Sequence, residues 1–196
     1  MVVCYTARPS GASASVGACE LHGPAGMQLL VIRHARAESV KRFAKTGRSD
    51  DLRPLTADGR ERMQAIASGL HRLVSNLDLV ATSPLVRARQ TAEIVAAEFG
   101  VTAILELAAL HPDAEPAEFA DWVRAAGSRE TIAIVGHDAH LRRLVSWILT
   151  RDTRSIVEIR KGGAIMLDVD AGGGEWNGGG TLLWSMQPHQ LRMLCG

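Results

Sequence analysis

A three-layer α/β sandwich, with a mostly parallel central sheet and helices on both faces, is the fold this sequence predicts. Two observations lead there. Aliphatic runs such as Gln28–Ile32 and Thr131–Val135 lack polar alternation, the mark of strands buried on both faces. Between such runs lie stretches whose apolar residues recur at three and four, the helical period. With 196 residues, 46% of them apolar and 22% charged, the chain suits one soluble domain with a sizeable core.

Taken in order, Gln28–Ile32 is the first predicted strand. Thr56 can cap a helix whose stripe is Met63, Ile66, Leu70 and Leu73. Leu79–Ala81 reads as a second strand. Ser83-Pro84 then opens a helix, with serine as N-cap and proline at its first position. Its stripe runs Leu85, Ala88, Ala92, Val95 and Phe99, and Gly100 ends it. Thr102–Leu105 is a third strand, residues 106–117 a loop, and Glu118–Ala125 a short helix. Thr131–Val135 is a strand and Asp138–Leu149 a helix. Ile165–Val169 and Leu182–Met186 close the sheet, joined by the glycine-rich "AGGGEWNGGG", read as an exposed hairpin loop.

Residues 1–26, rich in Gly, Ala, Ser and Pro, show neither period. They are expected to be a disordered tail or to precede a true start at Met27, leaving 27–196 as the domain. A net charge of +1 gives no reason to expect nucleic acid or an anionic membrane as partner. No apolar run is long enough to span a bilayer. Cys4, Cys19 and Cys195 make a poor disulfide framework, which favours a reducing cytoplasm. The pattern holds no carboxylate cluster and no spaced His/Cys set, so neither metal nor cofactor is expected. Oligomeric state is not legible.

In open α/β sheets, ligands bind beyond the carboxyl ends of the strands. The first strand ends in Arg33-His34, the second is followed by "SPLVRARQTA" with Arg87, and the fourth ends in Gly136-His137. Arg87 would stand near a helix N-terminus, where a cation opposes the macrodipole by about 0.3–1 kcal/mol. A bound anion reverses that sign. Arg33, Arg87 and His137 together suit a dianionic phosphoryl group, since arginine forks match phosphate oxygens. His34 would then face phosphorus, kept neutral and nucleophilic by the surrounding cations.

With "RHA", "SPLVRARQTA" and "VGHDAHL" in this order, the chain resembles the histidine phosphatase superfamily of phosphoglycerate-mutase-like fold, from Met27 to about Val169. "LRPLTADG" and the short chain most resemble its SixA-type phosphohistidine phosphatase branch. The resemblance implies His34 as the phosphorylated nucleophile, with Arg33, Arg87, His137 and also Arg53 as phosphate ligands. Pro54 independently biases Arg53 toward extended backbone, although a surface-loop arginine is an equal reading. Ala35 stands where many members have glycine. Asp138, in "GHDAH", would either weaken phosphate binding or orient His137. Arg36, Arg89, Arg142 and Arg143 read as solvated charges, with Arg36 the best placed at the rim.

Ester-cleaving relatives carry an acid after the third strand, where this chain reads "LELAALHPDAEPAEF". Asp113 and Glu115 are candidate acids there or plain surface carboxylates, and Glu106 could cap or pair. The expected activity is therefore a metal-independent hydrolase, a phosphohistidine phosphatase working through phosphorylated His34 on a phosphorylated protein or small molecule. The alternatives are a small-molecule phosphomonoesterase using Asp113 or Glu115, and a non-catalytic phosphate-binding module. A chain beginning at Met27 should melt at the same temperature and turn over at the same rate; a large loss of either would show that residues 1–26 pack on the domain.

Overall fold

The computed structural model describes residues 26–125, 130–169, 176 and 178–195. Six strands form one sheet: β1 (Met27–Arg33), β2 (Leu79–Thr82), β3 (Ile104–Glu106), β4 (Thr131–Gly136), β5 (Ala164–Val169) and β6 (Gly180–Met186). Their spatial order is β3-β2-β4-β1-β5-β6. β1 to β4 run parallel, and β5 is antiparallel to both β1 and β6. The helices are α1 (Val40–Ala44), α2 (Ala57–His71), α3 (Val86–Phe99), α4 (Pro116–Ala125), α5 (Asp138–Thr150) and α6 (Pro188–Met193).

Strand alternation sorts the core into two layers. Leu29 and Val31 of β1, with Ile132 and Ile134 of β4, pack against Phe119 of α4 and Leu141, Leu144 and Ile148 of α5. The alternate residues Leu30, Ile32, Ala133 and Val135 face Met63, Ile66 and Leu70 of α2 and Ala88, Ala92 and Val95 of α3. Each wholly buried aliphatic side chain contributes about 1.5–3 kcal/mol relative to exposure, so the three-layer arrangement follows from the sequence pattern.

Several boundaries differ from the expectation. Thr56 caps α2 through Gly59 N–H at 2.9 Å, but Leu73 lies beyond the helix end and is exposed. Ser83 is not the N-cap of α3. The helix starts at Val86, with Leu85 at the cap position, because Ser83 and Pro84 form the link from β2. Gly100 ends α3 at φ 69°, as its αL-tolerant residue type suggests. The third strand is shorter and later than expected, a largely exposed edge. The 106–117 loop holds a 3₁₀ turn at Ala108–Leu110, and α4 begins inside it at Pro116. The short α1, the 3₁₀ turn Asp50–Leu52 and α6 were not anticipated.

The expected tail over residues 1–25 and most of the glycine-rich β5–β6 connection lie outside the described residues. Trp176 within that connection is buried, not exposed. It meets Trp147 edge-on at 5.8 Å and donates Nε1–H to Gly179 O at 3.1 Å.

The contact of α2 with α6 is close enough that Gly69 admits no side chain, since a Cβ there would lie 2.0 Å from Leu191 O. Gly69→Ala should lower unfolding free energy by about 1–3 kcal/mol, the range for overpacking. An unchanged urea midpoint would show that α6 docks less tightly than described.

Candidate active site

Sheet register assembles the site. Arg33 lies beside Gly136 across the β1–β4 pair, and Thr82 beside Val135 across β2–β4. The next residues out are therefore His34, His137 and Ser83, side by side at the carboxyl edge. His34 N–H bonds Gly136 O at 2.9 Å and Ser83 N–H bonds Val135 O at 3.0 Å. The two imidazoles consequently sit 5.2 Å apart, centroid to centroid, with planes inclined by 54°.

They open into a cleft of about 670 Å³ lined among others by Arg33, Arg53, Arg87, Arg36, Asp138 and Lys161. His34, Arg87 and His137 are each only 6% exposed, and Arg53 8%. Arg53 is thus no surface-loop residue. Four of the site residues expected from sequence, with Arg53, meet in one place.

Each guanidinium is anchored along part of its donor edge. Arg33 Nη1 donates to Ile159 O at 2.7 Å and pairs with Asp138 at 3.1 Å. Arg87 Nη1 reaches Asp50 O at 3.0 Å and its carboxylate at 3.2 Å. Arg53 donates Nε–H to Asp50 Oδ1 at 2.6 Å and Nη1–H to Glu38 O at 2.8 Å. Asp50 therefore ties two arginines together. Its carboxyl is held below the usual range, first by the hydrogen bond from Arg53 and then by the charges of Arg53 and Arg87. Other donors are left over: Arg33 Nε, Arg87 Nε and His137 Nδ1 are buried without a partner among the described residues. A buried unmet polar atom costs about 1–3 kcal/mol, and all three belong to residues that line the one cleft.

The histidine chemistry is set by burial. His34 Nδ1 lies 2.7 Å from Ala35 O. A carbonyl can only accept, so Nδ1 carries the proton and Nε2 the lone pair. Desolvation lowers the His34 pKa to about 3, with Arg87, Arg33 and Lys161 adding to it. The cations expected to do this are real contributors, but burial leads. His137 falls to about 2, again by burial first, then through His34 and Arg87.

Asp138 sits on Arg33, and the His137 ring is held instead by Ser83 Oγ, 2.9 Å from Nε2. Neither candidate acid lines the cleft. The Asp113 side chain is 90% exposed beside His111, and Glu115 is 66% exposed and paired with Arg143 at 3.6 Å. From that loop the lining includes Pro112. Glu106 pairs with Arg89 at 3.0 Å. Arg142 and Arg143 are not free solvated charges, since they donate to Val157 O at 2.9 Å and Ala114 O at 3.0 Å.

Asp50, Ser83 and Lys161 were missed. Ser83 was legible only as a helix cap. Lys161 had a signal in "RKGG": Gly162 N–H bonds Arg33 O at 3.0 Å and Arg33 N–H bonds Gly163 O at 3.1 Å, with Gly162 at φ 79°. Asp50 had none, because its role depends on where a 3₁₀ turn lands.

Fold and site together define an α/β protein with a cationic, two-histidine cleft at the carboxyl edge of its sheet. The family model of the histidine phosphatase superfamily (branch 1) matches residues 29–111. An uncharacterized protein of Picosynechococcus sp. is 33% identical over 144 residues, covering 72% of this chain and 84% of that relative. Phosphohistidine phosphatase SixA of Escherichia coli K12 is 25% identical over 170 residues, covering 85% of this chain and 98% of SixA. A structure of the protein histidine phosphatase SixA complexed with tungstate superposes with TM-score 0.71 at 22% identity, covering 84% of this chain and 99% of that one. The chain belongs to the histidine phosphatase superfamily and is a phosphatase. No helix among the described residues is long and apolar enough to cross a membrane, and these residues hold no cluster of three or more metal-ligating side chains.

Three histidines are buried in neutral form, the third being His140, wholly buried, without a hydrogen bond among the described residues and lowered to about 4 by burial and Arg143. Their folded pKa values lie below the unfolded value near 6.5. The unfolded chain thus binds more protons as pH falls below 6.5, and stability drops by about 1.4 kcal/mol per unit for each. His140→Leu should remove one such increment of slope between pH 6 and pH 4.5. Parallel stability curves for variant and parent would show that His140 is not held neutral.

Proposed function

We propose that this phosphatase hydrolyses phosphohistidine through a phosphoryl group carried transiently on His34. The observation that carries the reading is the convergence of three unpartnered buried donors beside an unprotonated His34 Nε2. A phosphoryl group offers three oxygens at tetrahedral spacing to those donors. Arg33 and Arg87 each keep the Nε side of the guanidinium free, because Nη1 is the atom that is anchored. In the neutral tautomer of His137 that accepts the Ser83 hydroxyl at Nε2, Nδ1–H is the third donor. Arg53, tied through Asp50, adds charge at the same wall. Tungstate, itself a tetrahedral oxyanion, accompanies the SixA structural relative.

In the first step the His34 Nε2 lone pair attacks phosphorus, and the bond to the substrate nitrogen breaks. The departing imidazole takes its proton from solvent. A water then attacks the phosphoryl on His34, releasing inorganic phosphate and restoring the lone pair at Nε2. The arginines stabilise the charge that gathers on the equatorial oxygens in both steps. They supply the charge that a divalent ion would supply elsewhere, so neither step is assigned a metal.

The substrate class follows from the acid. Asp113 and Glu115 lie outside the cleft lining. Of the two carboxylates within it, Asp138 is committed to Arg33, while Glu38 stands in the segment that leads to α1. The mechanism assigns neither as an acid for an alkoxide, and general acid catalysis is worth about 10²–10⁴-fold. Phosphohistidine should be preferred over alkyl phosphates by about that factor.

His34→Ala should abolish turnover with the fold intact, and the quenched wild-type enzyme should carry an acid-labile, alkali-stable phosphoryl group on His34. Label on a serine or carboxylate would end the mechanism. Replacing Asp113 and Glu115 by Asn and Gln should leave kcat/KM on phosphohistidine unaltered. A wild type that prefers an alkyl phosphate, with that activity lost in the double variant, would make the enzyme a phosphomonoesterase instead.

A further inference from the structure

Beside the catalytic cleft lies a second hollow of about 210 Å³, between α2, the Lys161 turn and α6. The two cavities share Arg36 and Lys161. Around its rim stand Arg36, Arg62, Lys161 and Arg192, while Met63 and Ile66 are part of its apolar floor. The nearby acid is Asp58, which divides its carboxylate between Arg36 at 3.3 Å and Arg62 at 2.6 Å. Lys161 and Arg192 have no ion pair among the described residues. Asp58 against the four rim cations, with Asp138 acting on Lys161 from the cleft side while paired to Arg33, still leaves a positive surplus.

Nothing in folding calls for this arrangement. Lys161 is fixed by the turn that closes on Arg33, and a Cβ on the following Gly162 would come within 2.8 Å of Ile66 Cδ1. The backbone therefore holds the lysine at the boundary of the two cavities, close to cations already committed to the cleft. Partial burial first, and then Arg33, Arg53 and Arg36, make its charged form less favourable, with Asp138 opposing them. Gathering like charges is unfavourable unless an anion joins them. The transferred phosphoryl does not meet that need, because its donors are the buried edges of Arg33, Arg87 and His137. A short methylene chain ending in an anion would match the hollow, with methylenes on Met63 and Ile66 and charge at the rim.

We propose that this hollow is a second anion subsite, taking a carboxylate that the substrate carries on a short aliphatic arm beside its phosphoryl group. The proposal rests on the phosphoryl site described above but not on the phosphohistidine assignment. A carboxylate of this kind could be a glutamate or aspartate side chain next to the phosphorylated residue of a polypeptide, or part of a small acid.

The test uses the full chain hydrolysing an aryl phosphate, inhibited by two matched series. One is plain alkylphosphonates, the other the same chains ending in a carboxylate. For each protein, the ratio of the two inhibition constants at equal chain length is read, which cancels any general change in the enzyme. In the wild type, the best-fitting carboxylate should bind about tenfold tighter than its alkyl partner, the worth of one charge-assisted hydrogen bond. Lys161→Gln and Arg192→Gln should each bring the ratio toward one. A ratio near one at every chain length overturns the subsite, and so does an advantage that survives both substitutions. Failure of the plain alkylphosphonates to compete at all would sink the phosphoryl site and the subsite with it. Phosphohistidine peptides with neighbouring Glu or Gln then identify the source. A Glu preference lost in the variants marks a polypeptide, whereas a preference confined to the small phosphonates marks a small acid.

Discussion

Three guanidinium groups, those of Arg33, Arg53 and Arg87, are kept on one cleft although they repel one another. The structure meets this with acceptors placed on the outer edges of the arginines. Asp50 ties Arg53 to Arg87, and the pair Ile159 O and Asp138 holds Arg33. Burial makes these contacts strong and also makes them necessary, since a buried charge without a partner is unfavourable by several kcal/mol. On Arg33 and Arg87 the Nε atoms are left buried without a partner among the described residues. What the cleft presents is therefore decided by which donors are already occupied as much as by which residues line it.

The same burial determines the behaviour of the histidines. Desolvation is the leading cause of the fall in the His34 pKa to about 3, and the cations Arg87, Arg33 and Lys161 act in the same direction. With Nδ1 engaged by Ala35 O, the ring has one available nitrogen and one charge state across the ordinary pH range. An attacking group of this kind needs no deprotonation, so it makes no demand on Glu38 or Asp138, the two carboxylates in the lining.

How much of this could be read from the sequence varied with the range of the interaction. The carboxyl ends of β1, β2 and β4 were legible because aliphatic runs stop abruptly at Arg33-His34, Ser83 and His137, and a parallel sheet brings such ends to one edge. Helix faces followed from periodicity, and failed only where Leu73 outlived its helix and where Pro84 looked like a helix start. The link from β2 needed two more residues to turn. Side chains whose partners come from a turn of unpredicted position were opaque: Asp50 on its 3₁₀ turn, Lys161 on its glycine turn, and the outward cast of Asp113 and Glu115. Local chemistry marks such residues as charged, while only tertiary placement says against what.

Arg33 joins parts of the chain that are far apart in sequence. Its side chain bonds a carbonyl 126 residues further along the chain, and its backbone closes on Gly162 and Gly163. The stretch matched by the family model, 29–111, contains His34 and the other two arginines of the cleft but none of these anchors, nor His137. A chain still being synthesised thus exposes His34 long before the groups that aim Arg33 have been made. The cleft is therefore assembled only once the chain through residue 163 has been made, and a product ending at residue 111 would lack both the groups that aim Arg33 and the second histidine.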